Sequence, residues 1–137
     1  MEKDYAKPSV FAATEALTKG VEIPLPSGHS FLDKDGIKRR NVRIRWWDGD
    51  ALTYRKAALV DDALRRQLPD EPIPNHARFT IPTDKPLFFG HYWMTGMPAI
   101  LSPTAACLDY SAGKGGPLIA YRWEGEHHLD ANHFVAA

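Results

Sequence analysis

The segment FFGHYW, residues 88–93, places a histidine where a hydrophobic run ends. An imidazole at such a position is able to do chemistry, because it titrates near neutral pH. The glycine before it allows close approach of the backbone to another group. His91 is therefore either an interior histidine with a satisfied hydrogen bond or a side chain that faces a site, and the segment alone leaves both interpretations open.

Basic residues concentrate in a second candidate segment, IKRRNVRIRWW, residues 37–47. Arg43 and Arg45 alternate with apolar residues at the period of a strand, so we expect both on its polar face. A guanidinium group matches two phosphate oxygens at once. The pattern predicts a phosphate-binding role for Arg43 or Arg45, and the alternative is a solvated strand face.

Two glycine-containing motifs are weaker candidates. DKDG, residues 33–36, opens like a calcium-binding loop, but position twelve of that loop would be Ile44 rather than glutamate, so we predict a turn. GKGG, residues 113–116, lacks the spacing of a nucleotide-binding phosphate loop and no helix follows it. We predict a tight turn there, with an anion-binding nest of backbone N–H groups as the alternative.

The histidines near the C-terminal end resemble a zinc cluster only by their number. His127 and His128 are adjacent, so on a strand they would point to opposite faces, and with His133 and Asp130 we expect them at the surface. Cys107 lies in an apolar run without a basic neighbour, which predicts a small buried hydrophobic residue.

The composition limits the class of protein. The 137 residues, predicted to form one domain over 1–137, include 17 basic and 17 acidic side chains. This balance argues against a general nucleic-acid or membrane-surface role, although the arginine run and four tryptophans keep a small nucleic-acid-binding domain as an option. One cysteine, a charged N-terminal segment and no long apolar run predict a soluble cytoplasmic protein without a signal peptide.

The elements that must position these residues are short. Residues 8–19 predict an amphipathic helix with Pro8 in its first turn, and residues 55–68 predict a second helix. A hairpin is predicted over residues 29–47, and proline-rich chain over residues 69–86.

The last third of the sequence differs from the rest. Four apolar or aromatic runs, PLFFGHYW, MPAILSP, AACLDYS and GPLIAYRWEGE, predict closely spaced strands of one largely antiparallel sheet. LDANHF, residues 129–134, predicts a helical turn capped by Asp130. The predicted fold class is α+β, a mostly antiparallel sheet with two flanking helices.

Residues 86–126 resemble the closing segment of bacterial calcineurin-like metallophosphoesterases, in the branch of serine/threonine phosphatases and diadenosine tetraphosphatases. The resemblance rests, in order, on a strand that ends in Gly-His, a Leu-Asp strand turn, a Gly-Gly turn and a strand with an aromatic Arg-Trp ending. The upstream segment KGVEIPLPSGHSFLDKDGIKRRNVRIRWW resembles the middle of such proteins, so the resemblance covers most of the chain.

The resemblance implies a role for His91. In that family the Gly-His strand end delivers the last histidine ligand of a two-metal centre, which clamps a phosphoryl group and activates water. His91 would then be a ligand of Mn, Fe or Zn. The other family ligands come from D-x-H, G-D-x-x-D-R, G-N-H-[DE] and a further histidine, and none of these motifs occurs in this sequence.

The resemblance therefore implies one half of a metallophosphoesterase β-sandwich, inactive alone and without an assigned catalytic residue. The chain would be a truncated product or one half of a split enzyme, and it would hold metal only when another chain completes the site. The alternative is a non-catalytic dimerisation or partner-binding domain derived from that fold. Because half a sandwich exposes an apolar face, the expected partner is a second copy or the complementary N-terminal half.

Overall fold

A computed structural model of the protein describes residues 10–33, 35–78 and 84–137. The helices in these ranges are short, and none is long and apolar enough to cross a membrane. They are α1 (Val10–Lys19), α2 (Tyr54–Ala57) and α3 (Asp62–Gln67), with single 3₁₀ turns at Asn75–Ala77, Ala112–Lys114 and Ala131–His133.

The N-terminal helix confirms the first helix prediction. It ends at Lys19 and is followed by Gly20, whose N–H donates to the Ala16 carbonyl and whose φ of +89° is the left-handed conformation that favours glycine after a helix. A Lys19–Glu15 ion pair joins successive turns near its C-terminal end. The predicted position of Pro8 lies outside the described residues.

The strands within the described ranges form four small sheets. Antiparallel pairs are β1 with β4, β2 with β3, and β8 with β9, whereas the third sheet has the order β5-β7-β6 with β5 and β7 parallel. The bounds are β1 (Glu22–Pro24), β2 (Phe31–Leu32), β3 (Lys38–Arg39), β4 (Asn41–Arg43), β5 (Leu87–Phe89), β6 (Ile100–Ser102), β7 (Ala105–Cys107), β8 (Ile119–Tyr121) and β9 (Phe134–Ala136).

The prediction of helices together with mostly antiparallel strands is confirmed. The prediction that the strands of the last third form one sheet is wrong, because they lie in two sheets. Two interruptions divide the strands. His91 and Trp93 have positive φ angles, which regular strands do not adopt, and Ser111–Gly115 form a turn that begins and ends in the left-handed conformation. The segment that carries His91 therefore lies outside any sheet.

The second predicted helix is divided into α2 and α3 by extended backbone. Arg45 N–H donates to the Ala57 carbonyl, and Leu59 N–H donates to the Arg43 carbonyl, so residues 57–59 pair like a strand with the chain beyond β4. Asp61 then caps the next helix by accepting from the Leu64 N–H. The apolar periodicity did not show this competition from tertiary pairing.

The predicted hairpin is correct for its turn and wrong for its second arm. Around the turn, the Asp33 carboxylate accepts hydrogen bonds from the Ile37 N–H, from Arg39 Nε and from the Asp35 N–H, and these bonds lower its pKa, with the Ile37 bond the largest cause. β2 and β3 flank this turn, but β4 pairs with β1 instead of extending the hairpin. As expected from the alternation, Val42 is buried while Arg43 faces the other side.

Two clusters of buried side chains form the core. The first surrounds β1, β4 and α2, and the second contains Trp47, Tyr92, Ala105 and Cys107. Trp46 packs against both clusters. The segment around His91 is thus attached to the N-terminal half of the chain through an aromatic contact.

Candidate functional site

The loop Gly90–Met94 follows β5 and carries His91. His91 has a φ of 70° and Trp93 a φ of 51°, both in the left-handed region that costs an L-residue about 1–2 kcal/mol. Backbone in such a conformation persists only where surrounding contacts over-determine it, and it concentrates at functional sites. The contacts that hold this loop therefore define the candidate site.

Tyr92 anchors the loop in the core. It is buried, and its ring packs at 5.2 Å from Trp47 and 5.3 Å from Phe89, measured between ring centroids. Its hydroxyl accepts a 2.8 Å hydrogen bond from Trp46 Nε1. Burial raises the pKa of this phenol, so the group is a neutral anchor at physiological pH.

Gly20 is required for this anchor. A Cβ atom at Gly20 would overlap the Tyr92 hydroxyl, so the tyrosine packs across the space left by the missing side chain. The same glycine already has the positive φ that ends α1. One residue therefore meets two requirements, and α1 and the His91 loop are joined there.

Asp109 fixes the other side of the loop. One carboxylate oxygen accepts from the Trp93 N–H at 3.2 Å, and the other accepts from the Ser111 N–H at 3.1 Å. The Asp109 carbonyl accepts from the Met94 N–H at 3.0 Å. Sequence reasoning did not select Asp109, although a single acidic residue two positions after the buried β7 was a usable signal.

Arg43 reaches the loop from β4. Its Nη1 donates to the His91 carbonyl at 3.0 Å, and its Nη2 contacts Glu22 Oε1 at 3.2 Å. Its guanidinium carbon also lies 5.4 Å from the centroid of the Tyr92 ring. The structure thus brings Arg43 to His91, and the predicted phosphate-binding role of this arginine stays a prediction.

Arg45 makes its contacts elsewhere. Its Nη2 donates to the Lys56 carbonyl, and its Nη1 lies 3.9 Å from Asp48 Oδ2. Both arginine side chains are about three-quarters buried, with exposed fractions of 23% for Arg43 and 28% for Arg45. They therefore do not form a fully solvated strand face, and only Arg43 contacts the His91 loop.

The His91 imidazole is exposed, and within the described ranges its ring makes no hydrogen bond. It is not an interior histidine. As a donor set for the implied Mn, Fe or Zn centre it is insufficient, because no three His, Cys, Asp or Glu side chains among the described residues come together as metal ligands. A catalytic zinc alone takes about three protein ligands, so these residues do not fit a complete centre.

An open groove of about 1280 Å³ lies beside the loop. Trp93 forms one wall, with the Lys114 ammonium 4.1 Å from the centroid of its ring. Cationic side chains in the lining include Arg39 and Arg43, but these two pair with Asp33 and Glu22 of the same groove. The groove lining therefore carries both acidic and basic side chains.

A second polar cluster surrounds Glu126 in the connection between β8 and β9. Its Oε1 accepts from the Tyr121 hydroxyl at 2.6 Å and lies 3.1 Å from His133 Nδ1. Its Oε2 accepts from the Glu124 N–H at 2.8 Å. The tyrosine bond, followed by the backbone bonds, lowers the pKa of Glu126 to about 2.

The predicted surface position is confirmed for His127, His128 and Asp130 but is wrong for His133, whose side chain is only 19% exposed and pairs with Glu126. His127 and His128 are exposed, and His127 Nδ1 lies 3.3 Å from the Asp84 carbonyl. Asp130 caps the predicted helical turn by accepting from the Asn132 N–H. These side chains therefore shape the end of the β8–β9 connection, and they form no cluster of metal ligands within the described residues.

The glycine-rich segment and the cysteine fit their simpler interpretations. The N–H groups of Lys114, Gly115 and Gly116 donate to the carbonyls of Ser111 and Ala112, which gives a closed turn rather than an anion nest. Cys107 is fully buried, and burial raises the pKa of its thiol. Neither feature adds a reactive group to the candidate site.

Comparison of the chain with protein-family models, curated proteins and solved structures gives no match.

Proposed function

We propose that this chain is the C-terminal segment of a metal-dependent phosphoesterase and that it contributes His91 to a metal centre whose other ligands lie outside this sequence. The observation that carries the proposal is the conformation of His91, an exposed imidazole on a left-handed backbone that is clamped on both sides. An ordinary surface histidine has no need of such a backbone, because a glycine or a relaxed turn would be more stable.

The chain alone is expected to be inactive. One imidazole supplies one donor of a divalent Mn, Fe or Zn site, and the described residues supply no group of three. The resemblance places the other ligands upstream, in motifs that this sequence lacks. A complementary N-terminal half would therefore have to provide the metal and the water-activating chemistry, whereas this chain would present the histidine.

The test uses the coding DNA directly upstream and the chain extended through it. We expect that DNA to encode D-x-H and G-N-H-[DE], and the extended chain to bind Mn²⁺ and hydrolyse p-nitrophenyl phosphate. His91→Ala should weaken Mn²⁺ binding by at least about 100-fold, more than the loss of an outer-shell partner. His133→Ala is the matched control and should leave binding unchanged.

Two results would contradict this proposal. Upstream DNA without those motifs would remove the source of the missing ligands. Metal binding that survives His91→Ala in the extended chain would show that His91 is no ligand.

We infer a partner-binding domain as the second candidate, on the strength of one surface. The outer face of the β8–β9 hairpin is apolar, because residues 118 and 120 and their cross-strand partners 137 and 135 all turn away from the core. Leu118 is 63% exposed and Val135 is 49% exposed. The opposite face contains the buried Ile119, so the strand alternation leaves this set of side chains uncovered by the described part of the chain.

Sedimentation in solution tests this candidate. We expect wild-type chain to form a dimer and the double substitution Leu118→Lys, Val135→Lys to give a monomer, because two cations would have to be buried at the interface. Met97→Lys is the matched control, since Met97 is exposed but lies in the loop before β6. A monomeric wild-type chain would exclude homodimerisation through this face.

A further inference from the structure

The strained backbone of His91 is held at its own peptide group by one hydrogen bond within the described ranges. Tyr92 and Asp109 hold the residues that follow, through the buried ring and through the Trp93 N–H. At His91 itself, the hydrogen bond recorded within the described ranges is the one that its carbonyl accepts from Arg43 Nη1. The two residues are 48 positions apart in sequence.

The Arg43 guanidinium is fixed before it meets this carbonyl. Arg43 lies opposite Glu22 in the antiparallel pairing of β4 with β1, and the Glu22 carboxylate holds Nη2. The Tyr92 ring lies beneath the guanidinium group. The guanidinium group is planar and Glu22 already holds its Nη2, so the direction of Nη1 is set. The Arg43 side chain therefore loses little conformational freedom when Nη1 binds the His91 carbonyl.

We propose that Arg43 is a positioning residue for His91. Its fork fixes the His91 carbonyl, holds the residue in the left-handed region and thereby sets the direction in which the imidazole leaves the surface. The coupling of Arg43 to the His91 backbone stands on the contacts alone, whereas the purpose of the imidazole rests on the proposed function.

Hydrogen exchange at the Met94 amide tests this coupling in the isolated chain, because that N–H is protected only while the loop keeps its bond to the Asp109 carbonyl. Arg43→Gln should speed Met94 exchange roughly tenfold, as the left-handed strain at His91 drives the loop open. In a His91→Gly background the same substitution should change exchange by less than about threefold, because glycine adopts a positive φ without strain.

Arg39→Gln is the matched control. Arg39 lies on β3 and its guanidinium pairs with Asp33 instead of the His91 carbonyl, so Met94 exchange should stay at the wild-type rate. Arg43→Lys keeps the charge but replaces the planar fork by a single ammonium, and it should give an intermediate rate even if Arg43→Gln fails to fold.

An equal increase in both backgrounds would overturn the proposal, since a merely structural arginine would loosen the loop whatever residue stands at 91. No increase with either Arg43→Gln or Arg43→Lys would overturn it as well. Neither result depends on metal, so a failure here is distinguishable from a failure of the metal-centre proposal.

Discussion

His91 and His133 are held in opposite ways. The His133 side chain is four-fifths buried, and its Nδ1 lies 3.1 Å from Glu126, so its ring has a partner inside the chain. His91 is held through its backbone, by Arg43 at its carbonyl and by the anchored Tyr92 beside it, while its ring is exposed. The His133 ring therefore contributes to the fold through its contact with Glu126. At His91 the backbone is strained and the ring is exposed, so the ring is accessible to a ligand.

We expect the largest effect on the free energy of unfolding at Tyr92, which anchors the His91 loop in the core. Tyr92→Ala should lower the free energy of unfolding by about 3 kcal/mol or more, because it removes a buried aromatic ring. Tyr92→Phe keeps the ring and should lose about 1 kcal/mol with the hydrogen bond that the hydroxyl accepts from Trp46. Chemical denaturation measures both values.

Tyr92→Phe also tests whether the His91 loop and the Glu126–His133 cluster are independent of each other. The indole N–H signal of Trp46, which bonds the Tyr92 hydroxyl, should shift in the NMR spectrum of Tyr92→Phe. The corresponding signal of Trp123, which donates to the Glu126 carbonyl, should stay in place. Equal shifts of the two signals would show that the regions are not independent.

The sequence predicted local features better than the contacts between distant residues. The helix ended by Gly20, the turn around Asp33 and the cap at Asp130 depend on neighbours in sequence, and all three are confirmed. The single sheet and the unbroken second helix were wrong, because positive φ angles at His91 and pairing between Arg43 and Leu59 depend on tertiary contacts. The sequence left open whether the His91 side chain is buried or exposed. It predicted a phosphate-binding role for Arg43 and gave no sign that this arginine contacts the His91 carbonyl.

Acid should lower the stability of the fold by removing the contribution of the Glu126 carboxylate. The loss should be smaller than the loss caused by Tyr92→Ala. The folded-state pKa of Glu126 is about 2, below its ordinary value, so its stabilising effect is complete above the ordinary pKa and is lost as pH falls toward 2. Thermal unfolding at neutral pH should give a lower midpoint for Glu126→Gln than for wild type. Near pH 2 the two midpoints should converge, because wild-type Glu126 then becomes protonated.

The His91 loop supplies the comparison for that titration. Tyr92→Phe leaves Glu126 unchanged, so its midpoint should stay below that of wild type at both pH values. A constant difference between Glu126→Gln and wild type across the same range would contradict the assigned role of the Glu126 carboxylate.

The most direct test of the account is the free energy of unfolding of His91→Gly, measured by denaturant titration beside His133→Gly. Glycine at 91 removes the left-handed strain and no ring contact, so we expect the chain to gain about 1 kcal/mol. Glycine at 133 removes a paired ring and should cost about 1 kcal/mol. If His91→Gly instead destabilises the chain as His133→Gly does, His91 is an ordinary structural residue, and the claim that it is held for a ligand outside the chain is wrong.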